Sequence, residues 1–400
     1  MKITDVSSVL LSFTYPSDER PRFVGGRVLR RNAALVRVDT DEGLSGVGEI
    51  GSGIFVPEAV PPVVARLRGL ILGEDPFNIE RIWQKMYAGS AAWGRRGLGM
   101  GAISGIEVAL WDVVGKATSA PVYQMLGGLY YDRIRAYASL IPQPREQLVA
   151  QLRKCVDQGF TAVKIKLGAA TYPGGGGLGM GVRPSLDRER ELVQAARGAV
   201  GPDVDLMVDA AQAVAPEPWP VPTVIEVAKM LEEFDVFWLE EPCGADNLDG
   251  HAAVATAVDI PVAAGENLAT RFEFKRWMEG GAVDIIQPDV VIAGGLLECK
   301  KIAALASAYN IPIAPHMWWT GVGMMANLHF IASTPGCIIA EYPQMTYPLR
   351  EELLEEPLSL QDGYLRLPAV PGLGVRLTDE IMQKYPYQPG PTWQPDGGIA

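Results

Sequence analysis

Hydrophobic and polar positions change their period twice along this chain. ITDVSSVLLSF (3–13) and NAALVRVDT (32–40) show the two-residue alternation of half-buried strands, a DEG turn occupies 41–43, and LSGVGEI (44–50) reads as a third short strand. Helical stretches follow over about 57–70, 78–88 and 101–118, the last placing Ile103, Ile106, Ala109, Leu110 and Val113 on one face. An antiparallel sheet with helices packed on it, an α+β unit over residues 1–125, is therefore expected. Its Pro- and Gly-rich loops at 15–30 and 51–62 have no obvious core role.

From about residue 130 the pattern becomes short apolar runs separated by helical segments. The runs are RIRAYAS (133–139), AVKIKLG (162–168), VDLMVDA (204–210), VFWLEEP (236–242), IPVAAGEN (260–267), VDIIQPD (283–289), IPIAPH (311–316) and CIIAEYP (337–343). Eight such βα repeats close a parallel barrel, here predicted over 126–365, with the Pro-rich segment 366–400 packing back on the first domain. The run GAATYPGGGGLGMGVRPS (168–185) lacks a following Lys-Ser/Thr pair, so it reads as an insertion at the barrel mouth rather than a phosphate loop.

Composition narrows the functional classes. Four hundred residues, 48% hydrophobic and 20% charged with nine Trp, describe a globular protein of two units. No stretch reads as an apolar bilayer-spanning helix, and MKITDVSSVLLSF alternates like a strand rather than a signal peptide, so no membrane partner and a cytoplasmic location are expected. Cys155, Cys243, Cys299 and Cys337 are too scattered for a zinc site or a disulfide framework and read as buried thiols. A net charge of −12 argues against nucleic acid, and an acidic protein acting on an acidic substrate must neutralise charge locally, with a metal or with lysines.

Those groups stand at the ends of the runs: Lys164 and Lys166, Asp209, Glu240, Glu266, Asp289, His316 and Glu341. The C-terminal ends of barrel strands form one rim, so residues far apart in sequence converge on one cavity. A lone acid at a strand end is more often a helix cap. Three neighbouring carboxylates in one cleft repel one another and need a cation, and the all-oxygen set Asp209, Glu240 and Glu266 selects magnesium. Glu241 would point to the other side if its strand persisted. Lys164 and Lys166 share a strand face, and two close ammonium groups depress each other's pKa, leaving one able to act as a base. Asp289 can fix the tautomer of His316 on the opposite flank. His251 and His329 fall in helical segments and read as structural, while Trp318 and Trp319 fit either cavity lining or core packing. Two bases flanking a divalent cation suit abstraction of the proton alpha to a carboxylate, with the metal and Lys164 stabilising the enediolate.

KIK at 164–166, VDA ending its strand at 209, WLEEP at 238, GEN at 265, QPD at 287, PH at 315 and AEYP at 340, in this order, resemble the enolase superfamily, and within it the mandelate racemase subgroup, over nearly the whole chain. The resemblance implies an α/β fold, a modified (β/α)7β TIM-like barrel with an N-terminal α+β capping domain, its second strand antiparallel to the first. It implies Asp209, Glu240 and Glu266 as Mg2+ ligands, Lys166 as one base, His316 with Asp289 as the other, and Glu341 as the acid that hydrogen-bonds the substrate carboxylate, with no organic cofactor. The capping loops would shape substrate choice. No lysine stands in VDIIQPDVVIAGG, which disfavours the muconate-cycloisomerase subgroup, and Ala211 stands where many relatives carry Asn. The expected reaction is dehydration of a sugar acid to a 2-keto-3-deoxy acid. Racemisation, epimerisation or lactone isomerisation is the alternative, and a non-catalytic sugar-acid binding protein would not need both bases. A homo-oligomer, dimer or octamer, is implied by similarity.

Overall fold

The structure is a computed structural model that describes residues 1–23, 26–167, 185–215 and 218–395. The glycine-rich stretch expected to form an insertion lies, up to residue 184, outside the described residues.

The two alternating stretches and the run after the turn form β1 (Ile3–Thr14), β2 (Arg30–Thr40) and β3 (Ser45–Glu49), an antiparallel sheet in that order. Helices α1 (Val60–Ile71), α2 (Ile79–Gly89) and α3 (Gly97–Ala117) cover it. The approach of α3 to β3 requires glycine, because a Cβ at Gly46 or Gly48 would overlap the carbonyl oxygens of Ala109 and Gly105. The expectation that no stretch is long and apolar enough to span a bilayer is corrected here. With its start at Gly97 rather than 101, α3 has 21 residues and a mean hydropathy of 1.4 over its best window, but 83% of that window is buried inside the protein. Its polar groups are spent on neighbouring backbone: Asp112 accepts the N–H of Val47 and of Leu373, each at 2.9 Å.

All eight apolar runs enter the barrel. Strands β4 (Ile134–Ser139), β5 (Ala162–Lys166), β6 (Asp205–Asp209), β7 (Val236–Glu240), β8 (Val262–Ala264) and β9 (Ile285–Ile286) pair in sequence, all parallel. The seventh run contributes a bridge at Ile313, parallel to both Ile286 and Cys337, and β10 (Ala340–Pro343) closes the barrel against β4. Among the described residues seven longer helices, from Arg145–Asp157 to Gly321–Ala332, alternate with the runs. The expected antiparallel second strand is not found. Ala138 pairs Val163 and Ser139 pairs Lys164 in parallel register, because Arg145–Asp157 is a full crossover that returns the chain to the starting edge. What runs antiparallel to β4 is Tyr364–Leu365, further along the chain.

The C-terminal segment lies on the capping sheet. The Ser12 N–H donates to Tyr385 O at 3.1 Å, Leu11 bridges Pro386, and Trp393–Pro395 pairs antiparallel with Gly26–Val28.

Candidate active site

One apolar cluster contains one residue from each of the eight runs: Tyr137, Ala162, Met207, Trp238, Ala263, Ile285, Ala314 and Ile339. Tyr137 and Trp238, in edge contact at 5.6 Å, fill the barrel interior against the small alanines. Side-chain direction repeats every second residue, so the next inward positions are Ser139, Lys164, Asp209, Glu240, Gly265, Gln287, His316 and Glu341. Five of the eight residues expected from sequence, Lys164, Asp209, Glu240, His316 and Glu341, therefore stand one layer above a packed floor.

On one side two lysines meet carboxylates. Lys164 is ion-paired with Glu240 and lies 3.0 Å from Glu341 Oε1, and Lys166 is ion-paired with Asp209. Glu240 also accepts Trp238 Nε1 at 3.0 Å and Gln287 Nε2 at 2.7 Å on its other oxygen. Mutual depression of the lysine pKa values is not what this arrangement produces. Burial lowers both, but Glu240 and Glu341 raise Lys164 well above its ordinary value, and Asp209 raises Lys166 despite the opposing charge of Lys164. Glu240 is pushed up to about 7 by burial and by Asp209, Glu341 and Glu266, against the pull of Lys164. Burial would raise Glu341 too, but Lys164 and His316 hold it well below the usual carboxylate range, so it is an ionised acceptor here rather than an acid.

On the other side His316 Nδ1 lies 2.6 Å from Asp289 Oδ2, and Nε2 lies 3.6 Å from Glu266 Oε2. Burial lowers the imidazole pKa, but Glu266, the Asp289 hydrogen bond and Glu341 raise it to about 9, so it is cationic at neutral pH. Both tryptophans serve this arm. Trp319, 3% exposed, donates its indole N–H to Asp289 Oδ2, and Trp318 Nε1 donates to Glu341 Oε1 at 2.7 Å. Arg31, from the capping sheet, donates to the Trp318 carbonyl and sits over its ring at 5.7 Å.

For Glu241 the condition set from sequence, a continuing strand, is not met. The strand ends at Glu240, Glu241 has a left-handed φ of 46°, and its Oε1 accepts the Gly265 N–H at 3.0 Å. Burial, then Glu266, push its pKa well above the ordinary value, so it belongs to the same field of negative charge. Gln287 was missed from sequence, although it stands two residues before Asp289 at the inward parity; its bond to Glu240 is its signature. His251 and His329 lie elsewhere, hydrogen-bonded to Asn247 O and Leu373 O, with pKa values lowered to about 4 by burial. The four cysteines are buried and free. A cavity of about 460 Å3 lined by Tyr342, Gln344, Tyr347 and Arg350 includes none of the eight candidates on the barrel rim.

Among the described residues no three His, Cys, Asp or Glu side chains are grouped as a ready metal cage, and Lys164 and Lys166 are ion-paired with Glu240 and Asp209. The residues nevertheless fit a hard divalent cation. The carboxyl groups of Asp209, Glu240, Glu241, Glu266, Asp289 and Glu341 outnumber the cations Lys164, Lys166 and His316, and Glu241 Oε2 and Gln287 Oε1 are buried oxygens with no hydrogen-bond partner among the described residues.

Residues 147–381 match the family described as enolase C-terminal domain-like, and 22–127 match the mandelate racemase / muconate lactonizing enzyme N-terminal domain. The chain belongs to the enolase superfamily, mandelate racemase subgroup. This superfamily member is 34% identical over 398 residues to D-galactarolactone cycloisomerase of Agrobacterium fabrum, covering 96% of this chain and 99% of that protein. It is 31% identical to arabinonate dehydratase of Saccharolobus solfataricus over 96% and 99% of the two chains. The crystal structure of 3,6-anhydro-D-galactonate cycloisomerase from Zobellia galactanivorans superposes with a TM-score of 0.83 at 31% identity, covering 96% of this chain and 99% of that one. Members of the superfamily are typically metal-dependent.

Proposed function

We propose that this enzyme abstracts the proton alpha to the carboxylate of a sugar acid and, in the main reaction, dehydrates it to a 2-keto-3-deoxy acid. The observation that carries the reading is that Lys166 and His316 end the second and seventh barrel runs, paired with Asp209 on the third and Asp289 on the sixth, with Glu240 and Glu266 on the runs between.

Asp209, Glu240 and Glu266 would hold magnesium, which when bound supplies positive charge beside the substrate carboxylate. Lys164, buried and cationic, meets the developing enediolate oxygen, and Glu341 holds Lys164 in place. Lys166 takes the alpha proton once Asp209 is engaged elsewhere and no longer holds it as an ammonium. His316, hydrogen-bonded to Asp289, gives its proton to the departing beta hydroxyl, which leaves as water as the enediolate collapses to an enol, and the enol takes a proton at the beta carbon to become the keto acid. We assign the reaction to the cytoplasm, where four free buried thiols stay reduced, and to a homo-oligomer.

The similarity to two cycloisomerases favours a second reading, in which the same half-reaction ends by reprotonation on the opposite face or by lactone rearrangement. A screen of acid sugars and their lactones with magnesium, read for semicarbazide-reactive product, decides between them. Keto acid establishes dehydration, whereas solvent deuterium in recovered sugar acid without keto acid moves the assignment to isomerisation.

A further inference from the structure

The capping domain reaches the His316 arm through one buried side chain. Glu49, at the end of β3 and 1% exposed, points away from its own sheet and accepts the backbone N–H of Thr320 at 3.1 Å, the Thr320 hydroxyl, and the N–H of Gly323 at 2.9 Å. These are first-turn groups of helix Gly321–Ala332, which otherwise lack acceptors. Thr320 Oγ1 in turn accepts the N–H of Val322 at 3.1 Å. A carboxylate from one domain and a threonine from the other therefore cap this helix together.

Only three residues separate Thr320 from His316, and Trp319 lies between them. The Trp319 ring stands edge-on to His316 at 5.8 Å, and its N–H holds Asp289 Oδ2, the oxygen that also holds His316 Nδ1. The packing around this residue leaves no slack. A Cβ at Gly51, two residues after Glu49, would stand 3.0 Å from Trp319 and from Val291 and Ile292, which follow Asp289, and one at Gly323 would stand 2.6 Å from Trp319 and 2.9 Å from Glu49 Oε2.

We propose that Glu49 is a positioning residue for the His316–Asp289 pair, the contact through which the capping domain sets the imidazole by way of Thr320 and Trp319. Its geometric part stands on the contacts above; its catalytic consequence rests on the reading of His316 as an acid and base. Removing Glu49 frees the 317–320 segment to shift, and the imidazole moves with it.

The chain has three histidines, which makes the test direct. Magnesium-loaded protein carrying 13C at the histidine Cε1 carbon alone gives three signals, assignable by replacing each histidine. His329 sits in the last turn of the helix that Glu49 caps, and reports whether the helix moves as a whole. Glu49→Leu and Thr320→Val should shift or broaden the His316 signal and leave His251 and His329 in place, while Thr320→Ser, which keeps the hydroxyl, should leave all three. On the sugar acid found in the screen, the first two variants should lose about 10- to 100-fold in kcat with KM changed less than threefold. If Glu49→Leu does not fold, Thr320→Val carries the test. An unmoved His316 signal in a folded variant overturns the proposal, and so does joint movement of His316 and His329, which would mean general repacking. If the signal moves but His316→Asn retains turnover, the positioning stands and the base reading falls. If the signal stays while His316→Asn loses turnover, the reverse holds.

Discussion

Asp289 holds His316 by one oxygen and is itself held at four points. Its Oδ2 takes His316 Nδ1 and the Trp319 indole N–H, and its Oδ1 takes the Val291 N–H at 3.0 Å and Asn327 Nδ2 at 3.2 Å. A fully buried carboxylate so satisfied cannot rotate, so the imidazole presents Nε2 to the side of Glu266.

His316→Asn should therefore lower kcat by about 10²- to 10⁴-fold, the range for loss of a general acid or base. Asp289→Asn keeps the shape but places an amide against Trp319 and His316, and should cost about 10- to 100-fold. Steady-state rates on the sugar acid, with folding checked by circular dichroism, test both. Full turnover in a folded His316→Asn protein would remove the His arm from the mechanism.

Magnesium should stabilise the protein by binding the folded state alone. At a hundredfold excess over Kd the gain is about 2.7 kcal/mol, visible as a higher Tm than in chelator. Glu240→Gln and Asp209→Asn should each abolish most of that increment, because each takes one anionic oxygen donor from the set. Each variant also removes a buried carboxylate that meets Lys164 or Lys166, so the metal-free baseline should fall as well. A full magnesium increment in both variants would place the cation elsewhere.

The strand ends were readable because two simple periodicities coincide there. Inward side chains recur every second residue, and strand ends in a barrel share a rim, so Lys164, Asp209, Glu240, His316 and Glu341 could be grouped although they span nearly half the chain. Alternation placed Glu241 on the other side only on condition that the strand continued, and the left-handed residue that ends it is a backbone feature with no hydrophobic signature. The parallel pairing of β4 with β5 follows from the crossover helix between them, and the antiparallel expectation came from resemblance rather than from that helix. Lysine basicity was misjudged for another reason: it depends on which carboxylate each ammonium meets across the barrel, and this is a tertiary fact. Glu49 carried no signal at all, since a glutamate ending an edge strand looks like a solvated residue until a second domain covers it.

A second capping-domain glutamate should give the protein a pH-dependent stability. Glu107 on α3 accepts the N–H groups of Leu296 and Leu297 at 2.7 and 2.9 Å and Trp111 Nε1 at 2.8 Å, and burial outweighs these bonds and the charge of Lys301 to push its pKa up to about 7. The folded state then binds more protons than the unfolded state between the ordinary value of 4.5 and about 7. Stability from this group is full below about pH 4.5, falls as pH rises to about 7, and is flat above. The slope is at most about 1.4 kcal/mol per pH unit. Urea midpoints between pH 5 and 8 should fall with pH in the parent protein and fall less steeply in Glu107→Gln. An unchanged slope in the variant would show that Glu107 stays ionised throughout.

Ala211 offers a test of the backbone beneath the site. It has φ 49° and ψ 30°, a left-handed conformation, and its N–H donates to Asp209 Oδ1 at 2.6 Å. The strain of an L-residue there is roughly 1 kcal/mol, and Asn tolerates it better because its side chain can bond locally. An asparagine at this position would thus have a conformational reason apart from any substrate contact. Ala211→Asn should raise stability by about 0.5 to 1 kcal/mol, while Ala211→Val, whose branched Cβ fits this region worst, should lower it by more than about 1 kcal/mol. Because the same N–H orients Asp209, the valine variant should also bind magnesium more weakly, and titration calorimetry reads this separately from Tm. A valine variant as stable as the parent would mean that residue 211 does not hold a left-handed conformation in solution, and that Asp209 is oriented by Lys166 rather than by the turn.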